Sequence, residues 1–111
     1  MKPPVHGHLE TLLLAVLAQG PTHGYAVIER LRSRSGGAFD LAEGTVYPAL
    51  HRLERSGAVV SRWVVVDGRR RRVYELTAQG APDLVDRRRH WQEFAAAVEA
   101  VLGEATWPAT S

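Results

Sequence analysis

The chain is 111 residues long, 45% apolar and 23% charged, enough for one compact globular domain and incompatible with a disordered chain. It has no cysteine, which excludes disulfides, thiolate zinc sites and cysteine nucleophiles and makes the cytoplasm the expected setting. The net charge is +2, but His51 to Arg72 holds seven arginines against Glu54 and Asp67 while the rest holds seven Lys and Arg against ten acids, a distribution that marks a polyanion site.

Residues 1–7 are polar and proline-rich and read as a flexible tail. The longest apolar run, Leu9 to Ala18, falls far short of the roughly 20 residues that cross a bilayer. It also carries Glu10, so it predicts a core helix and no membrane association. Apolar residues at 9, 12, 13, 16 and 17 give it one face, and Gln19-Gly20-Pro21 stops it. Thr22 is placed to cap a second helix, in which Tyr25, Ile28 and Leu31 share a face before Ser33 to Gly37 breaks the pattern. Ala38 to Leu41 alternates and predicts a short strand.

A third helix follows in AEGTVYPALHRLERSG, with Val46, Ala49, Leu50 and Leu53 on one side and Gly44, Pro48, His51 and Arg55 on the other. Proline lacks the N–H of an interior turn, so Pro48 predicts a late start with Thr45 as N-cap. Ala58 to Val66 and Arg69 to Leu76 then read as two strands joined by Asp67-Gly68, the preferred type I′ turn. That turn pairs Val66 with Arg69, Val64 with Arg71 and Trp63 with Arg72. Trp63, Val65, Arg70, Arg72 and Tyr74 thereby share a face, and a cation-π contact between Arg72 and Trp63 follows. A last helix comes after Thr77, its beginning left open between Ala78 and Pro82, with an apolar stripe at Leu84, Trp91, Phe94, Ala95, Val98, Val101 and Leu102.

This order predicts a mainly α fold with a small β-hairpin wing: a winged helix-turn-helix plus a C-terminal dimerisation helix. The expected divisions are a tail at 1–7, a DNA-binding domain at 8–80, the dimerisation helix at 81–103 and a tail at 104–111. Four arginines beside a tight turn put charge where a wing meets duplex phosphates or a minor groove. The apolar stripe of the last helix exceeds what a small body can cover, so Leu84, Trp91, Ala95, Val98 and Leu102 are expected at a two-fold seam.

Four stretches, PTHGY (21–25), EGTVYPALHRLERSG (43–57), SRW (61–63) and GRRRRVYELTAQG (68–80), resemble the PadR family of bacterial transcription regulators. The single helix after them resembles the family's short branch. The resemblance implies a dimeric regulator, usually a repressor, whose partners are a double-stranded DNA operator and a second copy of itself. It implies that Thr45, Tyr47, His51 and Arg52 approach DNA from the third helix and Arg69, Arg70, Arg71 and Arg72 from the wing. It assigns Tyr25, Trp63, Tyr74 and Leu76 to structure. Some short-branch members hold flat aromatic effectors between subunits, which would make Trp91 and Phe94 the wall of an effector site. Packing at the seam is the other reading of Trp91.

Other classes find less support. His6, His8, His23, His51 and His90 do not supply a full metal shell, and neither a metal nor another cofactor is expected. Phosphate loops, a nucleophile elbow and a carboxylate pair are missing, so an enzyme is not expected. The competing function is a winged-helix module for protein association without DNA.

Overall fold

The computed structural model describes residues 8–104; the expected tail at 1–7, and residues 105–111 with Trp107, lie outside the described residues. In chain order the elements are α1 (Leu9–Leu17), β1 (Thr22–His23), α2 (Gly24–Arg34), α3 (Glu43–Arg55), β2 (Val59–Val66), β3 (Arg69–Leu76) and α4 (Gly80–Glu104). The described residues form four helices and a three-stranded antiparallel sheet of order β1-β3-β2. This is the mainly α, winged architecture the sequence pattern predicts, with the third strand at Thr22–His23 instead of Ala38 to Leu41.

Helix α1 is the centre of the core. Leu9, Leu13, Leu14, Val16 and Leu17 are all buried, and the helix touches α2, α3, α4 and β3. Leu14 joins the expected face because α1 is covered on several sides. Val27, Ile28 and Leu31 from α2, Val46, Ala49, Leu50 and Leu53 from α3, and Tyr74 from β3 complete that core.

Helices α2 and α3 end in the same way. After α2, Gly36 and Gly37 take positive φ (63° and 89°), and their N–H groups bond to the carbonyls of Ser33 and Arg32. After α3, Gly57 (φ 88°) and Ala58 bond back to Glu54 and Leu53. Both are Schellman closures, which need a left-handed residue that glycine supplies without strain.

Several expectations are corrected. Thr22 is not the cap of α2: the imidazole of His23 accepts the N–H of Ala26 at 3.3 Å, while Thr22 and His23 pair with Tyr74 and Val73 as the third strand. Ala38 to Leu41 forms no strand, because the edge it would occupy is taken by β1. Helix α3 begins at Glu43 rather than Thr45, with Ala42 as N-cap, so Pro48 lies inside it. The missing donor is tolerated because Gly44 and Pro48 both face solvent, where water can serve the freed carbonyl. Tyr25 and Trp63, assigned to structure, are 57% and 54% exposed, whereas Tyr74 is buried as expected.

Helix α4 starts at Gly80 and runs unbroken. The Thr77 hydroxyl accepts the N–H of Gly80 and donates to the carbonyl of Gly57, and Pro82 falls in the first turn, where no intrahelical donor is required. Gly80 is required there, since a Cβ would run into the carbonyl of Ala58 and the side chain of Leu76. Leu84, expected at a seam, instead packs in this chain's own core at 8% exposure. Beyond it the helix is almost bare: Trp91, Phe94, Val98, Val101 and Leu102 are exposed and Ala95 is half-buried.

Candidate nucleic-acid interface

The hairpin forms in the expected register, Val66 to Arg69, Val64 to Arg71 and Trp63 to Arg72. Asp67 and Gly68 both have positive φ (51° and 76°), the signature of a type I′ turn whose twist suits the strands. Because side chains alternate, Arg70 and Arg72 emerge on the face of Trp63, and their guanidiniums lie 4.6 Å and 5.3 Å from its ring centroid. One indole thus holds two guanidiniums by cation-π attraction.

This face of the wing turns toward α3. Tyr47 and His51 from α3, Trp63 from β2 and Arg70, Arg71 and Arg72 from β3 line one open cleft of about 560 Å³, with His23, Gly24 and Tyr25 at its far side. Tyr47 reaches the start of α2 because residue 24 is glycine: a Cβ there would sit 2.5 Å from its Cε1. Burial, and then the charge of Glu43, push the Tyr47 phenol above its ordinary pKa, so it remains a neutral hydroxyl that can donate or accept.

At the His23 side of the cleft, Nη1 of Arg71 approaches Nε2 of His23 to 3.4 Å. Neutral imidazole has one unprotonated nitrogen, and when Nδ1 takes the N–H of Ala26, Nε2 carries the proton. Two donors then face each other with no acceptor between them. Burial first, and the Arg71 charge second, lower the pKa of His23.

The expected contacts divide. Tyr47, His51, Arg70 and Arg71 share the cleft with free polar ends; Arg69 is exposed at the wing tip; Thr45 is half-buried in the first turn of α3. Two arginines are otherwise engaged. Nε of Arg72 donates to the Ser61 hydroxyl at 2.9 Å, and its Nη2 lies 3.5 Å from Glu54, so it braces the wing against α3. Arg52 donates from Nε to Glu10 at 2.9 Å. Composition gave no sign of either partner, because Glu10 and Glu54 lie in other elements.

Gly24, Tyr25 and Trp63 join the cleft without having been expected in it, and His23, which the sequence places at the N-terminus of the second helix near phosphate, lines it with them. Trp63 was legible from its shared face with Arg70 and Arg72; Gly24 and Tyr25 open α2 beside β1, a strand too short to read from sequence. Away from the cleft, Trp91 and Phe94 form an open aromatic cluster with His8, the His8 ring 4.8 Å from that of Trp91 in an edge-on arrangement. Among the described residues no three His, Asp or Glu side chains gather to hold a metal, and no helix is long and apolar enough to cross a membrane.

The chain's similarity to known proteins runs through the same elements. The transcriptional regulator PadR-like family matches residues 13–86. Transcriptional regulator Rv3488 of Mycobacterium tuberculosis is 45% identical over 78 residues, which cover 70% of each chain. A PadR family transcription regulator from Clostridium difficile superposes with a TM-score of 0.77 at 28% identity, covering 86% of this chain and 99% of that one. A transcriptional regulator from Clostridium thermocellum shares the fold at a TM-score of 0.81 and 22% identity, over 90% of this chain and 97% of that one.

Proposed function

The chain belongs to the PadR-like family of transcriptional regulators, and on that premise we propose that it is a homodimeric, effector-responsive repressor reading a palindromic operator with α3 and the wing. The observation that carries this reading is the single cleft in which Tyr47 and His51 of α3 meet Arg70 and Arg71 of β3. A duplex seated there lays the outer face of α3 in the major groove and the wing along the flanking backbone. His51, Tyr47 and Thr45 then read base edges, and Arg69, Arg70 and Arg71 meet phosphates. A phosphate oxygen between Arg71 and His23 supplies the acceptor their facing donors lack.

Dimerisation is supported by the uncovered half of α4. Its 25 residues span about 37 Å at 1.5 Å each. A helix left bare for several turns is marginal in water unless another surface covers its apolar face. A second copy packed on Trp91, Ala95, Val98 and Leu102 provides that cover, and the two-fold axis sets the two α3 helices about 34 to 36 Å apart, one duplex turn. An aromatic effector entering beside Trp91 and Phe94 changes DNA affinity to the extent that it binds the two arrangements of the dimer unequally.

Selection of bound DNA from a random pool tests the reading directly, the expected product being a palindrome with half-sites one turn apart. With about 6 to 10 phosphates neutralised, affinity falls some 10³ to 10⁵ between 50 and 200 mM salt. Exchanging Arg70 and Arg71 for alanine weakens all sequences alike and lowers the salt slope by about 2 per subunit, whereas His51→Ala changes the preferred sequence. Affinity that ignores salt contradicts the proposal and favours a winged-helix module for protein association.

A further inference from the structure

Arg52 lies on the flank of the outward face of α3, and its guanidinium reaches toward α1. At about 100° per residue it lies about 40° around the helix from Pro48 and about 60° from Arg55, both of them solvent-facing. Its Nε nevertheless donates to Oε2 of Glu10 on α1, at 2.9 Å. The other oxygen of the same carboxylate, Oε1, accepts from Nη2 of Arg87 on α4 at 3.2 Å, and Nε of Arg87 is fixed in turn by Asp83 at 3.0 Å. Asp83 and Arg87 thus aim Glu10, so that its free oxygen faces α3.

Resting on the DNA-binding reading above, we propose that Glu10 sets the affinity for DNA by competing with a backbone phosphate for Arg52. The guanidinium side chain is 47% exposed and the carboxylate 27%. An ion pair so open to water is weak, and a phosphate, whose condensed counterions are released on contact, can displace it. The protein therefore carries one cation in reserve on its reading helix. Glu10 touches no DNA; it is a positioning residue acting through Arg52. The arrangement also ties the reading helix to α4, since the carboxylate that holds Arg52 is itself held from α4.

The test compares wild type with Glu10→Gln, Glu10→Asp and Glu10→Gln/Arg52→Ala on the selected operator and on a random-sequence duplex of equal length. Glu10→Asp withdraws the carboxylate by one methylene without altering net charge. Both single variants are expected to bind the random duplex more tightly, Glu10→Gln by about 2- to 5-fold per subunit at low salt, the worth of an exposed ion pair. The slope of log affinity against log salt steepens by about 0.9 per subunit. Adding Arg52→Ala removes both the gain and the steepening. Thermal unfolding of each variant confirms that folded protein is compared. A gain that survives Arg52→Ala, or Glu10 variants that bind no more tightly than wild type, overturns the inference alone. If wild type shows no salt-dependent binding to either duplex, the DNA-binding reading falls and this one with it.

Discussion

Adding one methyl group at Gly24 is expected to damage DNA recognition while sparing the fold. A Cβ there would lie 2.5 Å from Cε1 of Tyr47 and 2.7 Å from both its Cζ and its hydroxyl oxygen. Comfortable carbon contacts lie at about 3.5 to 4.0 Å, so the ring must move by about 1 Å. Room exists, because Tyr47 is half-buried and borders the open cleft. Gly24 is the first residue of α2, so alanine gains little there from helix preference, and movement of the ring into the cleft is what holds the cost to about 1 kcal/mol. DNA binding has no such relief, since the displaced ring enters the space a duplex would fill. One misplaced contact on the reading helix is worth about 1.4 kcal/mol, or tenfold in affinity. Fluorescence anisotropy with the selected operator measures the loss, beside a thermal melt of the same sample. In a Tyr47→Ala background the ring that the added methyl strikes is gone, and Gly24→Ala should then have no further effect on binding. Unchanged operator affinity in the single variant, or an equal loss in both backgrounds, would refute the argument.

Two further outcomes follow from other parts of the molecule. Val98→Asp places a carboxylate on the proposed seam of α4, so the dimer should dissociate in sedimentation while the winged domain stays folded; a variant that still sediments as a dimer puts the seam elsewhere. Because burial and Arg71 hold the His23 imidazole below its usual 6.5, unfolding takes up a proton, and the stabilisation is full above about pH 6.5 and lost as pH falls through the lower folded value. His23→Asn keeps a cap acceptor and removes the titration, so melting temperatures between about pH 5 and 7 should depend less on pH than in wild type; an identical dependence would assign the effect to another group.

The elements with strong local signals were legible in the sequence. Asp67-Gly68 fixed the hairpin register to the residue, because a two-residue type I′ turn leaves no freedom in pairing. The buried side of α3 followed from period alone. What failed depended on tertiary context. Pro48 argued for a late start to α3, but solvent on that face removes the penalty that argument relied on. Thr22 is the better cap by residue type, yet strand pairing with Tyr74 claims it and leaves the cap to His23. Leu84 fits the apolar stripe of α4 as well as Trp91 does, and only packing against the body of the domain separates them. Among the arginines, count located the basic surface, but Glu10 and Glu54, distant in sequence from Arg52 and Arg72, decide which guanidiniums remain available.

The strand order leaves β2 at a sheet margin, with Val60, Val65 and Val66 uncovered. A valine-rich border of this kind can recruit the same border of another molecule and grow into aggregates. The neighbouring guanidiniums oppose that, because two wings brought side by side repel. Their protection lapses once a polyanion neutralises them, so short nucleic acid fragments in excess should clump the free protein. Nuclease treatment during isolation is the corresponding remedy.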